Sequence, residues 1–195
     1  MRCIALPLES GPVRALRADP ALQRLAEDQP PFTRRWPDEA LPRISEQLLA
    51  VVPDDTEWTL DFFESRNFDQ AEYLLDPITT RTIKSWPQRE RTATYRAIFG
   101  AQRFARYTSD GHVTPWRCSS PAELTAAVRL IDELDVAAVR REFSVAGMLE
   151  LGLYKVHPED DDDECFTRAL EDLRAWADHC RRVAARDLGL VVDLF

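Results

Sequence analysis

Apolar side chains recur at helical spacing through much of the second half of the chain. Between residues 121 and 134 they stand three or four positions apart, as at Leu124, Val128 and Ile131. A longer series with the same spacing comprises Phe166, Leu170, Leu173, Ala177, Cys180 and Ala184. Because about 3.6 residues make one helical turn, each series forms a single apolar face. The pattern predicts two amphipathic helices, and the second is the longest predicted helix.

Helix-start signals precede these stretches. Ser120 and Glu123 match a capping box, in which the serine oxygen accepts from the third helical N–H and the glutamate reaches back. Asp135 and Ser144 are placed to cap two shorter helices. The acidic run 159–164 opens the longest helix, where negative charge is favoured by the helix dipole. The C-terminal half is therefore predicted to be largely helical.

Short runs at the two ends of the chain predict strands. Residues 2–8 alternate weakly between apolar and polar, and residues 190–195 are mostly apolar. Gly189 is predicted to end the preceding helix as its C′ residue. Residues 104–107 and 113–118 flank a Ser-Asp-Gly turn and predict a β-hairpin. The predicted fold class is α+β: a small mixed or antiparallel sheet with surrounding helices, and a helical C-terminal half closed by a final strand.

The first half is rich in proline, so its helices are predicted to be short. A proline divides residues 12–27 into two helical pieces, and another ends a helix over residues 44–52. Residues 68–75 are predicted to form a helix that begins after an asparagine and ends before a proline. A further helix is predicted over residues 89–99, because a glycine follows it.

From residue 134 onward the chain carries a series of short motifs. These are a helix break, a basic pair before Phe-Ser, a short helix and a Leu-Tyr pair: Leu134-Asp135, Arg140-Arg141-Glu142-Phe143-Ser144, Met148-Leu149 and Leu153-Tyr154. An acidic segment, a long helix with an aromatic residue and a terminal strand follow. Two further motifs stand upstream, in residues 67–75 and 117–124. Together these features resemble the YfbM-like family, a group of bacterial proteins of unknown function.

The resemblance covers residues 60–195 in pieces and is strongest over residues 130–195. It implies an α+β fold with a small sheet and a helical C-terminal half, and it implies no established reaction. The family usually has Trp and His where this chain has Phe68 and Glu72, and it usually has a proline where this chain has Lys155. A role for the family's histidine therefore does not transfer to position 72.

A length of 195 residues fits one domain. We therefore expect a single YfbM-like domain over residues 1–195. Residues 60–195 carry the resemblance, and residues 1–55 form a less clearly defined N-terminal part.

Composition and charge exclude several function classes. The net charge of −9 disfavours nucleic acid and anionic membranes as partners. No apolar run reaches the roughly 18 residues that a membrane span needs. The first eight residues are too short and too quickly polar for a signal peptide, so a cytoplasmic protein is expected. The four cysteines form no CxxC pair and are expected to be free thiols.

The charges are distributed in blocks. Residues 54–76 carry eight acids against one arginine, and residues 81–106 carry seven bases against one glutamate. The basic block either binds an anion or neutralises its acidic neighbours in sequence, and the second interpretation is favoured. Aromatic residues among the bases are typical of nucleic-acid binding, but their helical spacing favours a core role here.

The common chemical signatures are missing from the sequence. The six glycines are scattered singly, so there is no phosphate-binding loop, and there is no GxSxG nucleophile motif. The cysteines and histidines show no metal-ligand spacing. Adjacent helical residues point about 100° apart, so His179 is expected on the surface and Cys180 in the core. We predict no catalytic residue, no metal and no cofactor.

One group of residues is a candidate pocket. Asp69 and Glu72 share a helix face at i, i+3 spacing, with Tyr73 beside them. Arg96 and Arg103 of the basic segment are candidates to complete a small polar site for an anion or for acid–base chemistry. The alternative is an exposed acidic face whose apolar neighbours pack inward.

Three functions remain open at this point, of which the last is a plain structural module or subunit. The first is a soluble, acidic, non-enzymatic interaction protein of the bacterial cytoplasm that covers a basic protein partner, with charge steering the encounter. The second is a domain that binds a small molecule or anion, or an enzyme, with a pocket near Asp69, Glu72 and Tyr73 and the basic segment 81–106. Whether the protein is an enzyme is open, with a binding role preferred.

Overall fold

The computed structural model describes residues 1–19, 63, 67–83, 85–109 and 112–193. The helices in these residues are α1 Gly11–Ala18, α2 Phe68–Leu75, α3 Pro77–Thr82, α4 Trp86–Arg89, α5 Ala93–Phe99, α6 Pro121–Asp132, α7 Val136–Glu142, α8 Val145–Glu150 and α9 Asp162–Ala185. The strands are β1 Arg2–Leu6, β2 Gln102–Ser109, β3 His112–Ser119 and β4 Gly189–Asp193. The predicted α+β class is confirmed. The helix predicted over residues 44–52 lies outside the described residues.

The four strands form one antiparallel sheet in the order β1-β4-β3-β2. Strands β1 and β4, from the two ends of the chain, pair with Ile4 opposite Val191. On its other side, Val191 lies opposite Cys118 of β3. Strands β2 and β3 form the predicted hairpin, with an irregularity between Arg103 and Ala105. Of the two predicted arrangements, the antiparallel one is observed.

The sheet is buried on both faces at β1 and β4. Cys3 and Ala5 of β1 belong to the main hydrophobic core, together with Leu190 of β4. Ile4 and Leu6 are buried as deeply, and strand alternation places them on the opposite face. A strand that is buried on both faces carries apolar residues at successive positions, which explains the weak alternation in this part of the sequence.

Helix α9 holds the helical part of the core together. It packs against α6 and α2, and the predicted stripe of α9 is buried or partly buried along its length. Trp176 on α9 donates its indole N–H to the carbonyl of Ala97 at 2.9 Å, which ties α9 to α5. The helix predicted over residues 68–75 is confirmed as α2 and packs against both α9 and α5.

The predicted helix starts are confirmed by their hydrogen bonds. The hydroxyl of Ser120 accepts from the N–H of Glu123, whose carboxylate accepts in return from the N–H of Ser120 at 2.8 Å. Asp135 and Ser144 each accept from the N–H three residues further along. Asp161 caps α9 by accepting from two N–H groups of its first turn. These caps satisfy N–H groups that a helix start would otherwise leave unpaired.

The helix predicted over residues 89–99 is two helices. Helix α4 ends at Arg89, and α5 begins at Ala93. Between them the side chain of Thr92 accepts from the N–H of Tyr95 at 3.1 Å. Thr92 has extended backbone angles, as an N-cap residue does, so the chain turns here and starts a new helix.

The predicted role of Gly189 as the helix end is wrong. Helix α9 ends at Ala185, and the residue with positive φ is Asp187, at 56°. Gly189 is the first residue of β4. A Cβ at Gly189 would lie 2.3 Å from the side chain of Leu8 and 2.9 Å from the carbonyl oxygen of Ser119. The glycine therefore permits a close approach between β4 and its neighbours.

All four cysteines are free thiols, as predicted, and the structure shows that all four are buried. In the part of the chain that the structure describes, no helix combines the length and apolar character that crossing a bilayer requires.

Candidate functional site

Asp69 and Glu72 lie on α2 and share one arginine. The Arg89 guanidinium at the end of α4 donates from Nε to Glu72 Oε2 at 2.8 Å, and its Nη2 donates to Glu72 and Asp69. The side chain of Glu72 is only 1% exposed, and those of Asp69 and Arg89 are 17% and 18% exposed. The alternative of an exposed acidic face does not hold for Glu72, because its carboxylate is buried.

The buried ion pair is only partly satisfied. Glu72 Oε1 has no hydrogen-bond partner, which leaves one carboxylate oxygen desolvated without compensation. Burial raises the pKa of Glu72, and the neighbouring Arg89 only partly opposes this effect. Burial by itself would lower the pKa of Arg89, but the hydrogen bonds and charges of Glu72 and Asp69 outweigh burial and raise it. Arg89 therefore stays charged, and Glu72 takes up a proton more readily than an exposed glutamate.

Three aromatic rings surround the guanidinium of Arg89. Its central carbon lies 5.3 Å from the ring centroid of Trp86, 5.9 Å from that of Tyr95 and 5.8 Å from that of Phe99. Rings at these distances attract the cation through their quadrupoles. Arg89 is thus held between two carboxylates and an aromatic wall.

Trp86 is half exposed although it is firmly positioned. Its side chain is 51% exposed, one of three large apolar side chains described as exposed. Its indole N–H donates to Glu90 Oε1 at 2.9 Å, and its ring meets Tyr95 edge-on with centroids 5.7 Å apart. With Arg89 over the ring as well, three contacts hold the indole in one orientation. An apolar surface that is fixed before binding loses little side-chain entropy on binding.

Trp86 borders a cleft of about 190 Å³, which we call the Trp86 cleft. Its lining residues come from α3, α4 and the segment after α8: Thr80, Ile83, Ser85, Trp86, Arg89, Leu151 and Leu153. The walls are mainly apolar, and among the described residues that line them the charged side chain is Arg89. The cleft is smaller than the 300–1,000 Å³ typical of sites for drug-sized ligands. Its size suits a ligand of a few heavy atoms or one inserted side chain.

The structure brings together only part of the predicted pocket. Asp69 and Glu72 meet at Arg89, as described above. Tyr73 is fully buried elsewhere: its hydroxyl accepts from Arg81 Nε at 3.0 Å, and its ring packs against Phe143. None of these three predicted residues lines the Trp86 cleft itself.

The two predicted arginines lie apart from the carboxylate pair. Arg96 lines a separate groove of about 430 Å³ between α5 and α6, where most neighbours are alanines. Arg103 pairs with Glu90 at 2.8 Å and is 48% exposed. Arg103 and Glu90 are linked to the cleft only indirectly, because Glu90 also accepts from Trp86.

Arg89 is the functional candidate that the sequence analysis missed. The sequence feature that could have identified Arg89 is its position three residues after Trp86, since side chains at i and i+3 of a helix are neighbours. The pair of carboxylates on α2 required a buried base nearby, and seven bases of residues 81–106 were available. Choosing among them required the turn at Thr92, which separates Arg89 from Arg96.

His179 is buried, so its predicted surface position is wrong. It is 5% exposed, its Nε2 lies 3.9 Å from Cys3 Sγ of β1, and its ring stacks on Trp176. Cys180 is buried in the core as predicted, and burial raises the pKa of its thiol. His179 contacts Cys3 and not Cys180, so no activated cysteine–histidine pair forms between neighbours on α9.

The acidic run 159–164 mainly builds the local fold. Asp161 caps α9, and Asp162 accepts from the N–H of Val145 at 2.6 Å. Asp163 pairs with Arg140, and Asp160 accepts from a backbone N–H in the preceding turn. The described residues contain no group of three or more His, Cys, Asp or Glu side chains that could hold a metal ion. Most acids of the run are thus committed to helix starts and turns.

Comparisons with known proteins give a similarity of fold. The chain matches none of the family models and none of the curated proteins. Among solved structures, it is similar to the crystal structure of YfbM from Escherichia coli, a protein of unknown function. The match covers 100% of both chains, with a TM-score of 0.59 and 14% sequence identity. The resemblance to the YfbM-like family that the sequence motifs indicate is thus confirmed at the level of the fold.

Proposed function

We propose that this protein is a non-enzymatic binding protein whose ligand site is the Trp86 cleft. The observation that carries the proposal is Trp86 itself. A half-exposed indole, fixed by Glu90, Arg89 and Tyr95 beside a cleft with apolar walls, has the features of a residue that dominates binding energy.

The state of the carboxylates favours binding over catalysis. A general acid or base must come within hydrogen-bond reach of the proton that it transfers. Asp69 and Glu72 are both held by Arg89, and neither lines the cleft. Among the described residues that line it, none is a histidine, cysteine or carboxylate. These described side chains can hold a ligand but offer no group suited to proton transfer at neutral pH.

A fragment screen by two-dimensional NMR tests this proposal. The isotope-labelled protein is titrated with neutral, cationic and anionic fragments of about six to ten heavy atoms, a range set by ligand efficiency. We expect some fragments to shift the amide signals of Ser85, Arg89 and Leu153. If no class of fragment perturbs these signals, the cleft is not a ligand site.

A filled cleft provides the control. Ser85 is exposed and makes no side-chain cap bond, so Ser85→Trp introduces bulk without removing a fold contact. We expect this variant to lose the fragment shifts. Ala137→Trp adds the same bulk at an exposed position of α7 and is expected to bind like the wild type. If both variants lose the fragment-induced shifts equally, the fragments do not bind in the Trp86 cleft.

An acidic surface that recruits a basic protein partner in the bacterial cytoplasm is the second candidate function. It is favoured by Glu159, in the turn before α9, and Glu164, in the first turn of α9, which are exposed and take no part in a described ion pair. Affinity capture from cells of the source organism, at low and moderate salt, tests it. The partner should be lost from Glu159→Gln/Glu164→Gln and released by salt. Capture unaffected by both changes would contradict this candidate.

A further inference from the structure

Arg89 has donor capacity that the protein does not use. Its Nε and Nη2 bind the two carboxylates of α2. In the described residues, Nη1 makes no hydrogen bond, although the side chain is partly exposed and lines the Trp86 cleft. Each terminal nitrogen of a guanidinium carries two N–H donors and no acceptor. Among the described lining residues, Arg89 is therefore the charged group with an unused donor.

The rest of the cleft is suited to an apolar group. Ile83, Leu151 and Leu153 give the cleft apolar walls, and Trp86 adds an aromatic surface. Ser85 adds a hydroxyl at the exposed end of α4. A ligand that fits all of these features has a small apolar body and one strong acceptor.

We propose that the Trp86 cleft binds a carboxylate carried on a small apolar group. The carboxylate accepts from Arg89 Nη1, and the apolar group packs against Ile83, Leu153 and the indole. This inference rests on the proposed function, because it names the ligand of the same cleft. The carboxylate belongs either to a free monocarboxylic acid or to the C-terminus of a peptide with an apolar last residue.

A carboxylate fits the Trp86 cleft better than a neutral acceptor or a cation does. A hydrogen bond between two charged groups is stronger than one to a neutral acceptor, which favours a carboxylate over an amide or alcohol. A cation would meet Arg89 first, since the carboxylates of Asp69 and Glu72 lie behind it and do not line the cleft. The charge nearest to the ligand is therefore positive.

The neighbouring carboxylates limit the affinity. Asp69 and Glu72 share one guanidinium, so their negative charge opposes an anion that binds beside them. Removing the charge of Asp69, which is partly exposed, should strengthen the binding of an anion and leave the binding of a neutral ligand unchanged. A merely apolar cleft would not respond to this change.

The test compares matched ligands. Binding of 4-methylpentanoate, its amide and its alcohol is measured by NMR titration on the wild-type protein. We expect the carboxylate to bind about tenfold tighter than the neutral analogues, and Ser85→Trp to abolish its binding. Asp69→Asn should bind the carboxylate about threefold to fivefold tighter than the wild type does. Asp132→Asn, which removes an exposed charge at the end of α6, should not.

A second arm distinguishes the two sources of the carboxylate. A pentapeptide that ends in leucine is titrated with a free and with an amidated C-terminus. Tighter binding of the free-acid peptide than of 4-methylpentanoate supports a chain end as the ligand, and the reverse order supports a small acid. Both orders support the carboxylate site.

The failures of the two proposals are separable. If the amide, the alcohol or cationic fragments bind at the cleft as tightly as the carboxylate, the proposed function stands and the carboxylate inference is overturned. If Asp69→Asn fails to strengthen carboxylate binding, Arg89 is not the group that receives the carboxylate. If nothing perturbs Ser85, Arg89 and Leu153, both proposals are wrong.

Discussion

Removing Arg89 tests whether the fold depends on neutralising Glu72. The variant Arg89→Met keeps an apolar stem against the aromatic rings but leaves the Glu72 carboxylate without its charged partner. Removal of one partner of a buried ion pair costs about 3–5 kcal/mol. Because Arg89 is 18% exposed, we expect the lower end, about 3 kcal/mol, which corresponds to roughly 6–12 °C in Tm for a chain of this length.

A second substitution separates the charge effect from the loss of packing. In Arg89→Met/Glu72→Gln the buried carboxylate becomes a neutral amide of the same shape. Burying an unsatisfied neutral group costs about 1–3 kcal/mol, less than burying an unpaired charge. We therefore expect the double variant to regain about 1–2 kcal/mol relative to Arg89→Met. Urea unfolding followed by circular dichroism at neutral pH measures all three proteins.

The pH dependence provides an independent check. Burial raises the pKa of Glu72 above its ordinary value, so its contribution to stability is present below that value and is lost as pH rises through the folded-state pKa. Without Arg89 this pKa rises further. The destabilisation by Arg89→Met should therefore be smaller at mildly acidic pH than at neutral pH. If the double variant is as unstable as Arg89→Met at both pH values, Arg89 stabilises the fold through packing alone.

Three further predictions concern the fold. Gly189→Ala should destabilise the protein by about 1–3 kcal/mol in urea unfolding, since its Cβ meets Leu8 and a backbone oxygen, whereas Gly11→Ala, where nothing lies within 4 Å, should be nearly neutral. Ser120→Ala should lower the free energy of unfolding by about 1 kcal/mol, because the capping box is lost. Ser85→Ala loses no cap bond and should leave the free energy of unfolding almost unchanged. Equal losses in the two variants would argue against the capping role of Ser120. Thiol reagents should label none of the four buried cysteines in the native protein and all four after unfolding: Cys3, Cys118, Cys165 and Cys180. Fast labelling of the native protein would contradict their burial.

Local signals explain why the C-terminal half could be predicted. A cap depends on residues within one turn of each other, so Ser120, Asp135 and Ser144 could be identified from the sequence alone. The same logic should have placed Thr92 at a helix start. The helical spacing of Tyr95 and Phe99 and the glycine that follows them indicated one continuous helix, and this masked the cap.

Long-range packing explains the errors in the core. His179 lies next to charged residues on α9, so the sequence of this helix by itself suggests that His179 is exposed. Strand β1 covers that face with Cys3, which lies 176 positions earlier in the sequence. Gly189 was assigned from its distance to the helix end, whereas its role depends on Leu8 across the sheet. Neither neighbour can be inferred from local spacing.

The fold can be inferred from a protein with little sequence identity, whereas the cleft cannot. The fold depends on caps and on buried apolar faces, which many sequences satisfy, and this chain shares its fold with YfbM at 14% identity. The cleft depends on particular side chains: Arg89 stacked on Trp86, Glu90 holding the indole, and leucines from the segment after α8. A shared fold does not carry such a site. Binding at the cleft must therefore be decided on this chain, with Ser85→Trp and Asp69→Asn as the variants that separate its shape from its charge.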